Sequence, residues 1–197
     1  MRPKRVVSSA PRPEHLHDGA ARTQYARPMN DDDARAHRSV QDADPLAAPA
    51  LARLADLQVE VGAPIEVGQV GAGLRRVIPI LGGRCRARDF DARVLAGGAD
   101  FQLVTSETTA RLEARYVLET DAGDRIYVLN DAIRSAPAAV TARLVRGEPV
   151  DPADVYFRCV PRFEASAPAL RWLGERVFLG VGVRRPSTVE MRFFEVR

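Results

Sequence analysis

The sequence of 197 residues contains neither histidine nor lysine from residue 51 to its end. Its histidines are His15, His17 and His37, and its single lysine is Lys4. A Ser-His-Asp or Cys-His arrangement therefore cannot form in that long part, and no lysine can form a Schiff base there. Two cysteines without histidine supply too few of the usual zinc ligands, so we expect no metal site. The groups that remain suit proton transfer, isomerisation, cyclisation or hydrolysis of an activated bond.

Motifs for nucleotide cofactors and membrane insertion are also missing. Gly82-Gly83 and Gly97-Gly98 are not followed by Lys-Ser/Thr, and no Gly-x-Gly-x-x-Gly opens a helix, so we expect no cofactor. No apolar run approaches the ~20 residues of a membrane span, and no apolar segment follows the basic N-terminus. The two cysteines, Cys85 and Cys159, lie in apolar strand-like contexts, which favours a reduced pair over a disulfide. We therefore predict a cytoplasmic protein that does not bind membranes.

The positive charge is too small and too dispersed for a nucleic-acid surface. The net charge is +3, and residues 51–197 hold 21 basic and 19 acidic residues, interleaved along the chain. Nucleic-acid binding needs clustered cations. We expect a small-molecule ligand as the partner and no nucleic acid; the sequence leaves homo-oligomerisation open.

The chain divides into a tail and one domain. Residues 1–50 are rich in Pro, Asp, Arg, Ala and Ser and lack helix or strand periodicity, which predicts a disordered tail. Met29 opens the sequence Met-Asn-Asp-Asp and is a candidate translation start, which would make residues 1–28 an over-called extension. Residues 51–197 are predicted to form the domain, with enough chain for a substantial core.

Period-two alternation predicts that this domain is built of strands. In residues 109–120 one face holds a row of apolar residues: Ala110, Leu112, Ala114, Tyr116 and Leu118. Pro79 argues for an edge or bulge in its strand, while Gly82-Gly83 indicates a turn. Residues 137–147 begin with proline and end with glycine, as a helix does. About eight to ten evenly spaced strands predict an all-β antiparallel barrel or sandwich with one short helix.

Three blocks place polar residues inside otherwise apolar strands. Asp100 and Gln102 project to the same side of their strand. Arg115 belongs to the second block. The third block spans residues 156–164, where one parity holds Tyr156, Arg158 and Arg162. Because inward and outward positions alternate in a small barrel, we predict that such rows line a lumen.

Structural interpretations compete with each of these assignments. Asp100 also suits a cap on the turn at Gly97-Gly98. Arg115 and Arg158 also suit buried ion pairs with Glu113, Glu164 or Asp100. Trp172 suits the core or a barrel plug as well as ligand stacking.

Several strings resemble the bacterial and fungal family catalogued as domain of unknown function 3237. They are RVIPILGG at 76–83, VLAGGADFQ at 94–102, LEARY at 112–116, YFR at 156–158, PRFE at 161–164, and Trp172-Leu173 followed by FLGVG at 178–182. The family pattern often has Trp at Phe101, Asp at Glu113 and Asn at Gly174, and the last difference removes an amide. The resemblance implies a closed antiparallel β-barrel with a central cavity, and it implies no established activity.

Our main hypothesis is a small-molecule enzyme of the barrel type. An oxygenated, apolar or aromatic ligand would enter the barrel, with Asp100 as the catalytic acid or base. The predicted ligand-binding residues are Gln102, Arg115, Tyr156, Arg158, Arg162, Glu164 and Trp172. The alternative is a ligand-binding barrel without turnover, in which arginine permanently pairs with the carboxylate. A third reading, a structural or interaction subunit, draws on exposed strand edges and the Phe193-Phe194 pair.

Overall fold

Alternating apolar residues build ten strands in a computed structural model that describes residues 46–197. The strands are β1 (Leu51–Val61), β2 (Ile65–Val70), β3 (Gly73–Ala87), β4 (Asp91–Val94), β5 (Ala99–Val104), β6 (Thr109–Thr120), β7 (Arg125–Ser135), β8 (Tyr156–Ala165), β9 (Phe178–Arg184) and β10 (Thr188–Val196). The predicted tail lies outside the described residues except for residues 46–50, and so does Met29. Within residues 46–197 no helix is long and apolar enough to cross a membrane.

Eight strands close into an antiparallel barrel, which confirms the predicted fold class. The closed path runs β1-β10-β9-β8-β7-β6-β5-β3, and β3 pairs with β1 to complete it. The extra strands are β2, which pairs with β3, and β4, which bridges β3 and β6 beside β5. Because closure leaves no free edge in the eight-stranded path, every inward row of side chains faces one shared interior.

The inward rows follow the alternation seen in the sequence. On β6 the residues Ala110, Leu112, Tyr116 and Leu118 are buried, as predicted. On the neighbouring β7 the same face holds Ile126 and Val128, which are fully buried. Tyr116 is paired with Val128 across the two strands, so the rows meet inside the barrel.

Strand β3 is longer than predicted, because Gly82-Gly83 lies inside it and does not form a turn. A Cβ at Gly83 would collide with the carbonyl oxygen of Gln58 on β1, so glycine permits a close backbone approach there. The bulge expected near Pro79 is present: the β1–β3 register shifts between Glu60 and Val61. These features let β3 change partners from β2 to β1 along its length.

One half of the barrel is filled by aromatic and aliphatic side chains. Phe163 packs edge-on against Phe178, with ring centroids 5.1 Å apart, and against Phe193 at 6.0 Å. Leu170 and Leu173 are buried there by the 3₁₀ segment Pro168–Glu175. The interior of this half is therefore filled by side chains.

The predicted helix is present as α1 (Ala138–Val145). It has no buried residue, but its Thr141 and Leu144 face the interior of the barrel at the open end. The described residues also form two 3₁₀ segments, Pro152–Asp154 and Pro168–Glu175.

Candidate functional site

The half of the barrel near α1 encloses a cavity of about 250 Å³. Its wall is mainly apolar, with contributions from β1, β3, β6, β8 and β10; examples are Val59, Ile78, Leu112, Phe157 and Met191. Exposed residues form its rim, among them Pro64, Glu66, Ser106 and Thr108. An apolar cavity with a few polar groups is the usual form of a small-molecule site.

A hydrogen-bonded network of three residues enters this cavity from β3 and β5. Gln102 donates from Nε2 to Asp100 Oδ2 at 2.6 Å, and Arg76 Nε donates to Gln102 Oε1 at 3.0 Å. The backbone N–H of Glu113 donates to Asp100 Oδ1 at 3.1 Å. Since arginine can only donate, it fixes the Gln102 amide with its NH₂ group toward Asp100. Both carboxyl oxygens are thus held in place, and each keeps a lone pair for a ligand.

The electrostatic state of Asp100 is dominated by its surroundings. Burial raises the pKa of Asp100 above its ordinary value, against the opposing effects of Gln102, Arg134, the Glu113 amide and Arg76. Asp100 keeps some accessible surface and borders the cavity. Such a carboxyl can carry a proton at a pH where an exposed aspartate is ionised.

Two further arginines give the cavity a positive character. Arg134 on β7 and Arg184 on β9 line it together with Arg76. Burial, followed by the neighbouring Arg76, lowers the pKa of Arg134 to about 10, and burial also lowers the pKa of Arg184. Arg134 nevertheless remains charged at neutral pH. The carboxylates on the wall and rim are Asp100 and Glu66, so the positive charges outnumber the negative ones.

Tyr116 and Asn130 add polar atoms to the cavity wall on β6 and β7. Their exposed fractions are 4% and 6%. Burial raises the pKa of Tyr116 well above its ordinary value. The thiol of Cys159 lies near both residues, and burial raises its pKa to about 12 despite the opposing Asn130 amide. This thiol is therefore protonated and unreactive at neutral pH.

The structure brings only two of the predicted site residues into the cavity, namely Asp100 and Gln102. Their proposed roles stay predictions. The predicted lumenal position is wrong for five others, which lie on the outer face: Arg115, Tyr156, Arg158, Arg162 and Glu164.

The outward position of these side chains follows from the apolar residues between them. On β8, Phe157, Cys159 and Phe163 take the inward parity, so Arg158 and Arg162 must point out. Arg162 pairs with Asp131 at 2.8 Å on the surface. Arg158 lies over the Tyr156 ring at 5.1 Å.

In the second block, the predicted lumenal position of Arg115 is wrong for the same reason. Arg115 alternates with the inward residues Ala114 and Tyr116 on β6 and points out. It makes a surface ion pair with Glu113 at 3.8 Å.

Trp172 does not line the cavity. It belongs to the 3₁₀ segment at the filled end, where its ring lies 6.2 Å from that of Phe178. The guanidinium of Arg88 lies over it at 5.5 Å. The interpretation of Trp172 as a core or plug residue fits these contacts better than ligand stacking does.

Arg76, Arg134 and Arg184 line the cavity but were not predicted from the sequence. Arg76 and Arg134 share the parity of inward residues in their rows: Arg76 lies between Leu74 and Ile78, and Arg134 lies between Ala132 and Ala136. Following those rows along the chain would have found these two arginines. No cluster of three or more potential metal ligands occurs in the described part of the chain.

The cavity can perform two kinds of chemistry. Asp100 can exchange a proton with a bound molecule, since it is buried, oriented and raised in pKa. The guanidinium groups can hold a carboxylate or stabilise a developing oxyanion. Neither role needs a histidine or a lysine.

Comparisons with known proteins agree with this architecture. The UPF0311 protein of Rhodopseudomonas palustris is 40% identical over 140 residues, which cover 71% of this chain and 92% of the relative. The UPF0311 protein of Clostridium acetobutylicum is 35% identical over 141 residues, with coverages of 71% and 89%. The names of these relatives state no activity.

Solved structures show the same fold. The Rhodopseudomonas palustris protein of unknown function aligns with a TM-score of 0.73 at 36% identity, covering 76% of this chain and 99% of its own. A β-barrel-like protein from Acinetobacter baumannii aligns at 0.68 and 34% identity, with coverages of 79% and 100%. An enzyme from Penicillium herquei aligns at 0.58 with 17% identity, covering 79% and 99%, and this likeness concerns the fold alone.

The family model described as protein of unknown function, DUF3237, matches residues 49–196, the whole barrel. The chain belongs to this family.

Proposed function

We propose that the protein is a small-molecule enzyme whose cavity binds an anionic, largely apolar, oxygenated ligand and transfers a proton through Asp100. The observation that carries the proposal is the state of Asp100. It borders the cavity, both its oxygens accept hydrogen bonds from fixed donors, and burial raises its pKa. A carboxyl prepared in this way is suited to general acid or base catalysis.

The arginines define the ligand class. Arg76, Arg134 and Arg184 face a cavity whose other walls are apolar, and their charges are only partly balanced by carboxylates. An anionic ligand group, or an oxyanion formed during the reaction, compensates this excess. The reaction is an isomerisation or cyclisation in which Asp100 accepts a proton from one ligand atom and returns it to another, or a hydrolysis in which Asp100 accepts a proton from the attacking water and returns it to the leaving group.

The raised pKa of Asp100 distinguishes the proposed enzyme from a barrel that binds a ligand without turnover. A carboxylate that serves as a permanent partner of arginine has a lowered pKa, because the ion pair favours its charged form. NMR titration of protein with isotope-labelled aspartate measures the value directly, and Asp100→Asn identifies the signal. A pKa at or below the ordinary aspartate value would contradict proton transfer and favour the binding barrel.

Turnover can be tested with hydrogen exchange. Small aromatic acids and lactones are incubated with the protein in heavy water, and proton NMR follows loss of C–H signals beside the carbonyl group. Asp100→Asn is expected to slow the exchange at least about 100-fold while binding of the same compound persists. Asp131→Asn, the same chemical change on the outer face of β7, is the matched control and should keep the wild-type rate. Exchange that survives in Asp100→Asn would remove the assignment.

We extend the proposal to a cytoplasmic protein. Cys85 and Cys159 are buried and unpaired, a state that a reducing compartment maintains.

A further inference from the structure

Two residues of the cavity wall each carry a buried polar atom without a hydrogen-bond partner among the described residues: the hydroxyl of Tyr116 and Oδ1 of Asn130. Both residues line the same cavity, and both are more than nine-tenths buried. Leaving such a group unsatisfied is unfavourable, so buried polar atoms nearly always have a partner. Two of them on one wall therefore point to a molecule that binds there.

The two atoms belong to diagonal neighbours in the sheet. Asn130 is paired with Ala114, and Tyr116 is two residues further along the same strand. Diagonal neighbours lie about 7–8 Å apart, within reach of an aromatic side chain. The two side chains therefore lie side by side on the inner face of neighbouring strands.

The pair is distinct from the arginine cluster. Arg134 follows Asn130 by four residues on β7, which corresponds to about 13 Å of strand. Arg134 interacts electrostatically with Arg76, Arg184 and Asp100, whereas Tyr116 and Asn130 lie near Cys159. Between the two polar regions the wall is apolar, with Ala132 on the same row.

We propose that Tyr116 and Asn130 form a second subsite, which binds a hydroxyl group at the far end of the ligand whose anionic group meets the arginines. This inference rests on the proposed function for the anionic end. The hydroxyl assignment follows from donor and acceptor chemistry. Asn130 Oδ1 can only accept, so the ligand group must donate; the Tyr116 hydroxyl can donate to the same ligand oxygen. A hydroxyl group satisfies both partners, whereas a carboxylate or an ether would leave Oδ1 unsatisfied.

The ligand class is therefore a small hydroxylated acid with an apolar body. The cavity of about 250 Å³ is smaller than most drug-sized sites, which span roughly 300–1,000 Å³. A single aromatic or alicyclic ring with one substituent at each end fits this description.

The test compares three acids that differ only at the far end of the ring: cinnamate, para-hydroxycinnamate and para-methoxycinnamate. Dissociation constants are measured by calorimetry for the full chain. Wild-type protein is expected to bind para-hydroxycinnamate about five- to tenfold more tightly than cinnamate, and the methoxy compound no more tightly than cinnamate. In Tyr116→Phe and Asn130→Val the preference for the hydroxyl compound should fall to about twofold or less.

Arg134→Met serves as the matched control at the other end. It should weaken all three acids by a similar factor and keep their ratio, which separates failure of this subsite from failure of the proposed anionic site. If no acid binds, the proposed function fails, and para-cresol against toluene then measures the hydroxyl subsite alone. An unchanged hydroxyl preference in Tyr116→Phe and Asn130→Val, or no preference in the wild type, would overturn the inference.

Stability provides a second readout that needs no ligand. If Tyr116 awaits a ligand, Tyr116→Phe removes an unsatisfied hydroxyl, and the free protein should melt at the wild-type temperature or above it. A clear fall in melting temperature would mean that an ordered water or the protein itself satisfies the hydroxyl, and the subsite would be rejected.

Discussion

Replacement of Gln102 by leucine tests the network that holds Asp100. Gln102 has an exposed fraction of 5%, accepts a hydrogen bond from Arg76 and donates one to Asp100. Leucine has a similar volume but can make neither bond. Hydrogen bonds to charged groups contribute about 1.5–3 kcal/mol each, and burial of the leucine side chain recovers about 1–2 kcal/mol. We therefore expect Gln102→Leu to lower the free energy of unfolding by about 2–4 kcal/mol.

The assay is equilibrium unfolding in guanidinium chloride, with the slope checked for two-state behaviour. The melting temperature should fall by roughly 4–16 °C, since 1 kcal/mol shifts it by about 2–4 °C in a domain of this size. Gln69→Leu is the matched control: Gln69 is exposed on β2, so the same chemical change should alter stability by less than about 0.5 kcal/mol.

The same variant changes the pKa of Asp100 in a known direction. The hydrogen bond from Gln102 favours the ionised carboxylate and so opposes the effect of burial. Its removal should raise the pKa of Asp100 further, which NMR titration measures. If Gln102→Leu matched Gln69→Leu in stability and left that pKa unchanged, the network would not exist in solution and the reasoning would be refuted.

Three further predictions follow. Burial raises the pKa of Asp100 above 3.8, so protonated Asp100 contributes to stability fully below pH 3.8, and this contribution is lost as the pH rises through the folded-state pKa. In thermal melts at increasing pH, Asp100→Asn should not show the corresponding fall in melting temperature. The two cysteines, whose pKa values burial raises to about 12, should resist iodoacetamide at about pH 8 until the protein is unfolded, and rapid native labelling would contradict their burial. Gly182→Ala should cost about 1–3 kcal/mol in denaturant unfolding, because a Cβ would lie 2.8 Å from the Phe157 ring, whereas Gly71→Ala, which has no atom within 4 Å, should be neutral.

Much of the fold was predictable because strand alternation is a local property of the sequence. The row from Ala110 to Leu118 needs no distant partner to be recognised, and closure then follows from the number and spacing of such strands. Gly82-Gly83 was misread because glycine suits both turns and close strand contacts. Only the approach of Gln58, 25 residues earlier, distinguishes the two.

The candidate site was predicted less well, because arginines were assigned to the lumen by their polarity and not by their parity with buried neighbours. Arg158 was predicted to line the lumen because it interrupts an apolar strand. It alternates with Phe157 and Cys159, which point into the interior. Arg134 shares the parity of the apolar residues before it and is the one that enters the cavity. Parity with buried neighbours is therefore a better guide than polarity in a mixed strand.

Even a correct parity analysis could not have located the cavity. The interior is solid around Phe163 and hollow around Arg134, although both residues point inward. Which half is filled depends on the segment Pro168–Glu175, whose leucines enter one end, and on the short residues Ala132 and Ala136, which leave space at the other. These contacts join distant parts of the chain and are set by the register of the closed sheet.

The composition of the barrel also limits which groups in the cavity can change their charge. The described barrel has no lysine or histidine, so its cavity cations are all arginines, and even Arg134, with a pKa lowered to about 10, stays charged at neutral pH. The Tyr116 hydroxyl and the Cys159 thiol stay protonated there, because burial raises both pKa values. Asp100 is the carboxyl group that lies inside the rim, and its charge changes as the pH passes its raised pKa. A proton gained or lost by Asp100 changes the net charge of the cavity by one unit, while the charges of the arginines stay constant.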